Sequence, residues 1–234
     1  MDLRILRVLE HGLGVKFRKK GLLHLALAHS SFTHENPEAF PTSNERLEFL
    51  GDAVLGVVVS MELYSRFPEW PEGELTKARA VLVRGEALAT IADKLDLGAY
   101  LYVGKGEGTS GGRKRPANLA SVFEALVGAM FLDQGYALVR DFVIRVMFDS
   151  MSSLGSRGVP VDPKSFLQEI LQDKGLSVPK YTTVESAGKA HSPEFTVEVT
   201  VNGRLVGKGT GSRKVQAEIM AASEAIKLLR EDQI

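Results

Sequence analysis

The chain has no cysteine among its 234 residues. This absence excludes disulfide bonds, thiolate zinc sites and thiol catalysis, so any bound metal must be held by oxygen or imidazole ligands. Long hydrophobic runs are also missing: the N-terminal MDLRILRVLEHGLG lacks an apolar core of signal-peptide length, and no segment approaches the roughly 18 apolar residues of a membrane helix. We therefore expect a cytoplasmic protein with no membrane partner.

An excess of either charge is missing too, since 29 Lys and Arg residues face 29 Asp and Glu residues. Any nucleic-acid partner must therefore be held by local basic patches rather than by overall charge. Gly106, Gly108 and Gly111 satisfy the pattern GxGxxG, but no βαβ unit surrounds them, so we expect no dinucleotide or other small-molecule cofactor. The hydrophobic content of 44% and the charged content of 25% are typical of a globular protein of one or two domains.

The organisation of the chain changes once along its length. Apolar residues recur at helical spacing through residues 1–152, which predicts an all-helical domain. Residues 153–161 lose this periodicity and are predicted to be a linker. In residues 162–234, a helix, alternating strands, an Asn202-Gly203 hairpin turn and a final amphipathic helix predict the order α-β-β-β-α. The expected fold class is an all-helical domain followed by an α+β domain.

The segment NERLEFLGDAVLG, residues 44–56, carries Glu45, Glu48 and Asp52 at helical positions i, i+3 and i+7. These offsets place three carboxylates on one face of a helix, where they repel one another. A hard divalent cation such as Mg²⁺ would relieve that repulsion and is the usual means of moving phosphates. Salt bridges to Lys or Arg, or a solvated face, are the alternative reading.

A further carboxylate, Glu124, lies within the apolar sequence LASVFEALVGAMFL. Burying a carboxylate there is costly unless it is paired or bound to a metal. One interpretation is a buried salt bridge with Arg113, Lys114 or Arg115. The other is that this helix and the preceding acidic helix assemble one cation site from carboxylates and water.

Candidates for binding RNA lie in the C-terminal domain. Arg213 and Lys214 open the last helix behind a glycine-rich turn, so backbone N–H groups, the helix dipole and two cations converge there and favour an anion. An ordinary solvated surface is the alternative. Gln168 and Glu169 on the preceding helix, and His191 between two strands, are polar groups within reach of sugar edges.

Several of these segments together resemble a known family. NERLEFLGDAVLG closely resembles the signature of bacterial ribonuclease III, and HSSFTHEN, RFPEWPEGELTKARAVLVRGEAL and FEALVGAMFLDQGY extend the agreement over nearly the whole first domain. Residues 162–232 resemble a double-stranded RNA-binding domain in PKSFLQEILQDKG, PEFTVEV and GKGTGSRKVQAEIMAA. The resemblance implies a ribonuclease III endonuclease and dimerisation domain followed by a double-stranded RNA-binding domain.

The same resemblance implies a homodimeric endonuclease that uses Mg²⁺, with Mn²⁺ as an alternative, to cut duplex RNA in ribosomal and messenger precursors. Its products would carry 5′-phosphate and 3′-hydroxyl ends. Matched position by position, Asp52, Glu124 and Glu45 take catalytic roles, and Glu48 joins Asp52 and Glu124 as a metal ligand. The resemblance also implies that Glu72 lines the cleft and that Phe49 packs into the partner subunit. The implied RNA contacts are Gln168, Glu169, His191, Arg213 and Lys214.

Two departures from the family pattern stand out. Ser121 occupies a position where the family usually has Asp, so the site loses a charge, and Ser121 would contribute to a metal only weakly or through water. Arg213 stands where Ser is usual and Val215 where Lys is common, so phosphate contacts there are expected to be rearranged. A non-catalytic dimer that binds double-stranded RNA is the alternative function.

Overall fold

The computed structural model describes residues 3–157, 162–189 and 192–230. The chain forms two compact units, Met1–Pro160 and Val161–Ile234. The described part of the first unit is helical, apart from a single β-bridge between Ala28 and Tyr102. A short 3₁₀ helix covers Gly112–Lys114. The α-helices of this unit are α1 (Leu3–Leu13), α2 (Lys20–Ala26), α3 (Ser30–Glu35), α4 (Glu45–Arg66), α5 (Glu72–Val83), α6 (Gly85–Lys94), α7 (Leu97–Tyr100), α8 (Lys105–Thr109), α9 (Pro116–Gln134) and α10 (Tyr136–Arg157).

Helix α9 forms the centre of the first unit. Pro116 stands at its first turn, where the missing N–H of proline costs no hydrogen bond. The helix is apolar on nearly all sides, as is typical of a helix inside a core, and Phe123 is fully buried against Phe142 of α10. Its half-buried Glu124 is therefore exceptional in its surroundings.

The linker starts later than predicted, because helix α10 is longer than expected. Residues 153–161 were expected to be irregular, but the helix continues through Arg157. The physical reason is that Met147, Met151 and Leu154 are buried at helical spacing, which extends the apolar stripe of the helix into the Ser-rich segment. Residues 158–161 of the predicted linker lie outside the described residues.

The second unit has the predicted order α-β-β-β-α. Its elements are α11 (Pro163–Asp173), β1 (Lys180–Lys189), β2 (Ser192–Val201), β3 (Arg204–Gly211) and α12 (Lys214–Arg230). Asp162 caps α11 by accepting a hydrogen bond from the Ser165 backbone N–H at 3.0 Å. Asn202 and Gly203 both have positive φ, 50° and 78°, as the tight hairpin between β2 and β3 requires.

The three strands form one antiparallel sheet in the order β1-β2-β3. Val197 and Val199 of β2 are fully buried beneath α11 and α12. Gly209 of β3 lies against α12 so closely that a methyl group there would overlap backbone atoms of that helix. The alternating valines and the strand glycine therefore bring the sheet and the last helix into direct contact. Among the described residues, no helix is long and apolar enough to cross a membrane.

Candidate active site

The acidic residues of α4 and α9 are brought together by a glycine contact between the two helices. A methyl group at Gly51 of α4 would overlap the carbonyl oxygen of Glu124, and one at Gly128 of α9 would overlap the carbonyl oxygen of Leu47. Only hydrogen fits at either position, so the two backbones approach to contact distance. Because Gly51 lies between Glu48 and Asp52 in the sequence, this crossing sets both carboxylates beside Glu124.

A solvent-open cavity of about 600 Å³ lies at this crossing. Its lining combines the predicted acids with other polar groups, and the phenyl ring of Phe49 completes the wall. The lining residues are His29, Ser30, Asn44, Glu45, Glu48, Phe49, Asp52, Ser121 and Glu124. The structure therefore gathers Glu45, Glu48, Asp52, Ser121 and Glu124, which two distant segments of the chain supply, around one cavity.

The charge state of Glu124 shows that these carboxylates influence one another. Burial is the larger cause, and the negative charges of Glu48 and Asp52 add to it, so that together they raise the pKa of Glu124 to about 7. Within the described part of the chain, neither Lys nor Arg, including Lys114, forms an ion pair with Glu124, so the salt-bridge alternative is not realised there. Arg113 donates to backbone carbonyls, including that of Gly98 at 3.2 Å, and Arg115 pairs with Glu107.

The three acids on the exposed face of α4 likewise have no basic partners among the described residues. Among the described residues, neither Lys nor Arg forms an ion pair with Glu45, Glu48 or Asp52. Glu45 instead accepts a hydrogen bond from Ser43 Oγ at 2.7 Å at the exposed edge of the cavity. The cavity thus concentrates negative charge that the described side chains do not neutralise.

Ser121 contacts this cluster through Glu48. Its Oγ donates a hydrogen bond to Oε1 of Glu48 at 2.8 Å. A neutral hydroxyl at this position reduces the number of charges in the cavity and fixes one oxygen of the Glu48 carboxylate. The other oxygen of Glu48 remains available to a ligand.

The donor set fits a hard divalent cation. Three carboxylates with coupled charges and a hydroxyl share one cavity, and oxygen is the ligand that Mg²⁺ prefers. No group of three or more His, Asp or Glu side chains within the described residues is arranged to hold a metal by itself. This openness agrees with the usual behaviour of Mg²⁺, which is held by one or two carboxylates and completes its coordination with water and substrate phosphates.

The resemblance also assigned roles near the acidic site to Phe49 and Glu72, and the structure places the first at the margin of the cavity and the second away from it. Phe49 adjoins the acids, and 81% of its surface is exposed. Glu72 lines a separate cavity of about 470 Å³ together with Tyr64 and Arg79, and it accepts a hydrogen bond from Thr76 Oγ1 at 2.8 Å. Within a single chain the structure does not bring Glu72 to the acidic cavity.

Sequence reasoning assigned no role at this cavity to His29, Ser30 or Asn44. Asn44 is 2% exposed, and its Nδ2 donates to the Ala26 carbonyl at 3.1 Å, which fixes the start of α4. His29 caps α3 by accepting a hydrogen bond from the Ser31 backbone N–H at 3.2 Å. The position of Asn44 immediately before the acidic stripe was the available signal, whereas nothing local to His29 indicated the cavity.

The predicted RNA contacts of the second unit lie on its surface where they are described. Gln168 and Glu169 are exposed on α11, and Arg213 and Lys214 are exposed at the start of α12. Val215, at the position of the second family departure, is 62% exposed beside them. His191 lies outside the described residues.

Comparison with known proteins agrees with this arrangement. Residues 19–151 match the family model described as Ribonuclease-III-like, and residues 163–229 match the model described as Double-stranded RNA binding motif. The chain is 43% identical over 219 residues to Ribonuclease 3 of Dehalococcoides mccartyi, a match that spans 94% of this chain and 92% of that relative. It is 45% identical over 221 residues to Ribonuclease 3 of Pelotomaculum thermopropionicum, with the same two coverages.

A solved structure is similar to the first unit. It is the nuclease domain of ribonuclease III from Campylobacter jejuni, with a TM-score of 0.57 and 38% sequence identity. The match covers 62% of this chain and 96% of that domain. The Campylobacter structure is described as showing flexibility in a region involved in dimer formation.

Proposed function

We propose, from the premise that this chain belongs to the ribonuclease III family and is an endoribonuclease, that it hydrolyses double-stranded RNA with the help of Mg²⁺ at the cavity between α4 and α9. The observation that carries the proposal is the convergence of Glu48, Asp52 and Glu124 on that cavity, with the pKa of Glu124 raised to about 7 by burial and by the other two charges. A purely structural role gives no reason for an unneutralised Glu124 on the most apolar helix facing two further carboxylates on α4.

Glu48, Asp52 and Glu124 are the side chains that would hold the cation. When bound there, Mg²⁺ lowers the pKa of its water and stabilises negative charge that develops on the phosphate. Ser121 orients Glu48 through its hydrogen bond, and it would contribute to the metal only weakly or through water. Glu45, at the exposed edge of the cavity, is placed to handle the substrate.

Glu124 has a second part in this proposal. In the metal-free site, a pKa of about 7 keeps the Glu124 carboxyl partly protonated near neutral pH, so it would release its proton in order to hold a cation. Hydrolysis that leaves a 5′-phosphate and a 3′-hydroxyl end is the expected outcome. Manganese is expected to substitute for magnesium, since both accept oxygen ligands.

The second unit supplies recognition of the duplex. Gln168 and Glu169 on α11 and Arg213 and Lys214 on α12 are the proposed contacts, with His191 as a further contact from outside the described residues. Domains of this kind bind about 16 base pairs through A-form shape, 2′-hydroxyls and phosphates. We therefore expect weak sequence preference and substrates among structured precursors of ribosomal and messenger RNA, in the cytoplasm.

The active form is proposed to be a homodimer. Phe49 is 81% exposed beside an apolar cavity of about 660 Å³ whose lining includes Leu22, Leu25 and Leu132. Large apolar side chains exposed next to an apolar cavity favour burial by another protein surface. A second copy that covers Phe49 would also allow Glu72 to line a shared cleft with the acids.

Incubation of the full chain with a long RNA duplex, in Mg²⁺ and in EDTA, tests the function. Shortening of the duplex only in Mg²⁺ is expected, and Glu124→Gln should slow it by more than about 100-fold while duplex binding stays within about twofold. The alternative, a non-catalytic RNA-binding dimer, predicts binding without shortening in either condition. Wild-type cleavage by Glu124→Gln would remove this carboxylate from the site.

A further inference from the structure

The first twenty residues of the chain carry more positive than negative charge. Residues 1–20 contain six Lys and Arg residues against two acids, Asp2 and Glu10. Residues 162–234, which include the match to the RNA-binding motif, contain ten residues of each sign and are formally neutral. The remaining 141 residues carry the compensating negative charge, so the N-terminal segment has a local excess of positive charge.

The structure arranges part of this charge around a cavity of about 600 Å³. Arg7 and His11 lie one turn apart on α1, and Lys16 reaches the same cavity from the segment between α1 and α2. All three side chains are exposed. We call these three residues the basic cluster.

The nearby acids do not neutralise the basic cluster. Glu10 is 7% exposed, accepts a hydrogen bond from the Phe17 backbone N–H at 2.6 Å and pairs with Lys20. Asp133, at the end of α9, is 8% exposed and accepts the backbone N–H groups of Arg18 and Lys19 at 2.7 and 2.8 Å. Among the described residues, no carboxylate forms an ion pair with Arg7, His11 or Lys16.

The same contacts hold the segment that carries Lys16 in place. Val15 and Phe17 are 5% and 2% exposed, so the residues on either side of Lys16 are buried in the core. The Lys16 carbonyl accepts a hydrogen bond from Gln134 Nε2 at 3.0 Å. The backbone around the cavity is therefore fixed before any ligand arrives, which lowers the entropy cost of binding one.

We propose that the basic cluster binds backbone phosphates of duplex RNA, as a contact site on the nuclease unit separate from the acidic cavity. The inference rests on the proposed function, because it takes duplex RNA as the substrate. Two cations and an imidazole on an open surface suit the repeated charges of a polyanion, and release of counterions from the phosphates provides the driving force. Because the second unit is formally neutral, local basic clusters such as this one, rather than overall charge, must attract the polyanion.

Salt dependence of duplex binding tests the site. The full chain is titrated in EDTA, where no cleavage is expected, with a blunt RNA duplex of about 30 base pairs, which exceeds the span of one RNA-binding domain. The double variant Arg7→Gln/Lys16→Gln is compared with Lys94→Gln/Arg140→Gln, which removes two exposed helical cations outside the cavity. We expect the first pair to weaken binding about tenfold at low salt and to flatten the plot of log affinity against log salt by one to two units.

A local signal sharpens the test. In NMR spectra, the imidazole signals of His11, assigned by comparison with His11→Gln, should shift when duplex is added to the wild-type chain. Equal affinity and equal salt slope for the two double variants would overturn this inference while leaving the proposed function intact. Wild-type protein that fails to bind duplex at all would overturn both. If inorganic phosphate shifts the His11 signals but duplex does not, the site takes a free anion and the assignment to RNA is wrong.

Discussion

Two groups of carboxylates in the nuclease unit differ in how their charges are satisfied. Glu10 and Asp133 are almost fully buried, and each accepts hydrogen bonds from backbone N–H groups of the segment that follows α1. Glu48, Asp52 and Glu124 surround an open cavity, and no described cation pairs with them. The first group fixes the fold, whereas the second keeps its charge free for a ligand. The acids that accept backbone hydrogen bonds are thus also the more deeply buried ones, whereas the acids around the cavity are half-buried or exposed and have no cationic partner among the described residues.

The group of carboxylates around the cavity depends on the contact between Gly51 and Gly128, and a single added methyl group should break that contact. Gly51→Ala would overlap the Glu124 carbonyl oxygen, so α4 and α9 must separate, and we expect a loss of more than about 3 kcal/mol in the free energy of unfolding. Gly56→Ala is the matched control on the same helix, since nothing lies within 4 Å of its added methyl group. The control should gain up to about 1 kcal/mol from helix propensity. Urea denaturation compares them, and equal stabilities would refute the glycine contact.

The structural side can be tested at Asp133. Asp133→Ala leaves the backbone N–H groups of Arg18 and Lys19 without their acceptor, and it should cost about 3 kcal/mol of stability, since hydrogen bonds to a charged group are worth about 1.5 kcal/mol or more each. Asp141→Ala is the control, because the Asp141 side chain is 77% exposed. The cleavage rate per folded molecule should stay within about twofold. A stable but inactive Asp133→Ala protein would contradict the division between the two groups of acids.

The pH dependence of stability should also distinguish the groups. The folded state holds the proton of Glu124 up to about pH 7, whereas the unfolded chain releases it near 4.5. Ionisation therefore favours the unfolded state as the pH rises from about 4.5 to 7, and this contribution is absent below that window. In metal-free buffer, Glu124→Gln should be more stable than the wild type at pH 8, by on the order of 1 kcal/mol after solvent screening, and equal to it at pH 4. Thermal unfolding at both pH values measures the difference. If Glu124→Gln were less stable than the wild type at pH 8, the ionised Glu124 carboxylate would have a stabilising partner in the folded state.

The smallest expected effect is at Ser121. Ser121→Asp adds a carboxylate to the cavity and should lower the Mg²⁺ concentration for half-maximal cleavage by about three- to tenfold. Ser121→Ala removes the hydrogen bond to Glu48 and should raise that concentration by a similar factor. Ser121→Thr, which keeps the hydroxyl, should restore a requirement close to that of the wild type. An unchanged requirement in all three variants would show that Ser121 does not act on the metal site.

The sequence was sufficient to predict the helical first unit, the α-β-β-β-α order of the second and the acidic segments that supply the cavity. The apolar surroundings of Glu124 suggested a site shared with the first acidic helix as one of two interpretations, and the resemblance to the family assigned Glu124 to the same metal site as Glu48 and Asp52. The contact between Gly51 and Gly128 was not predictable, because the crossing point of two helices depends on the packing of the whole core. The anchoring of Arg18 and Lys19 by Asp133 spans more than one hundred residues and left no local signal.

The predicted start of the linker was wrong for a different reason. Ser and Gly residues dominate the segment after Met151. The prediction of a linker gave this composition more weight than the two apolar residues that continue the apolar stripe of the helix. Met151 and Leu154 are buried, so two side chains were enough to keep the backbone helical through Arg157. Periodicity remains informative when only one or two apolar residues carry it.

The crossing of α4 and α9 has a consequence for how this enzyme tolerates mutation. Main chain meets main chain at Gly51 and Gly128, so the separation of the opposing carboxylates is set by atoms that every amino-acid substitution leaves in place. A change in the volume of a surrounding core residue is therefore expected to alter the spacing of the acids less than a methyl group at either glycine would. At this crossing, Gly51 and Gly128 are therefore the positions where any added side chain would push the two helices, and with them the acids, apart.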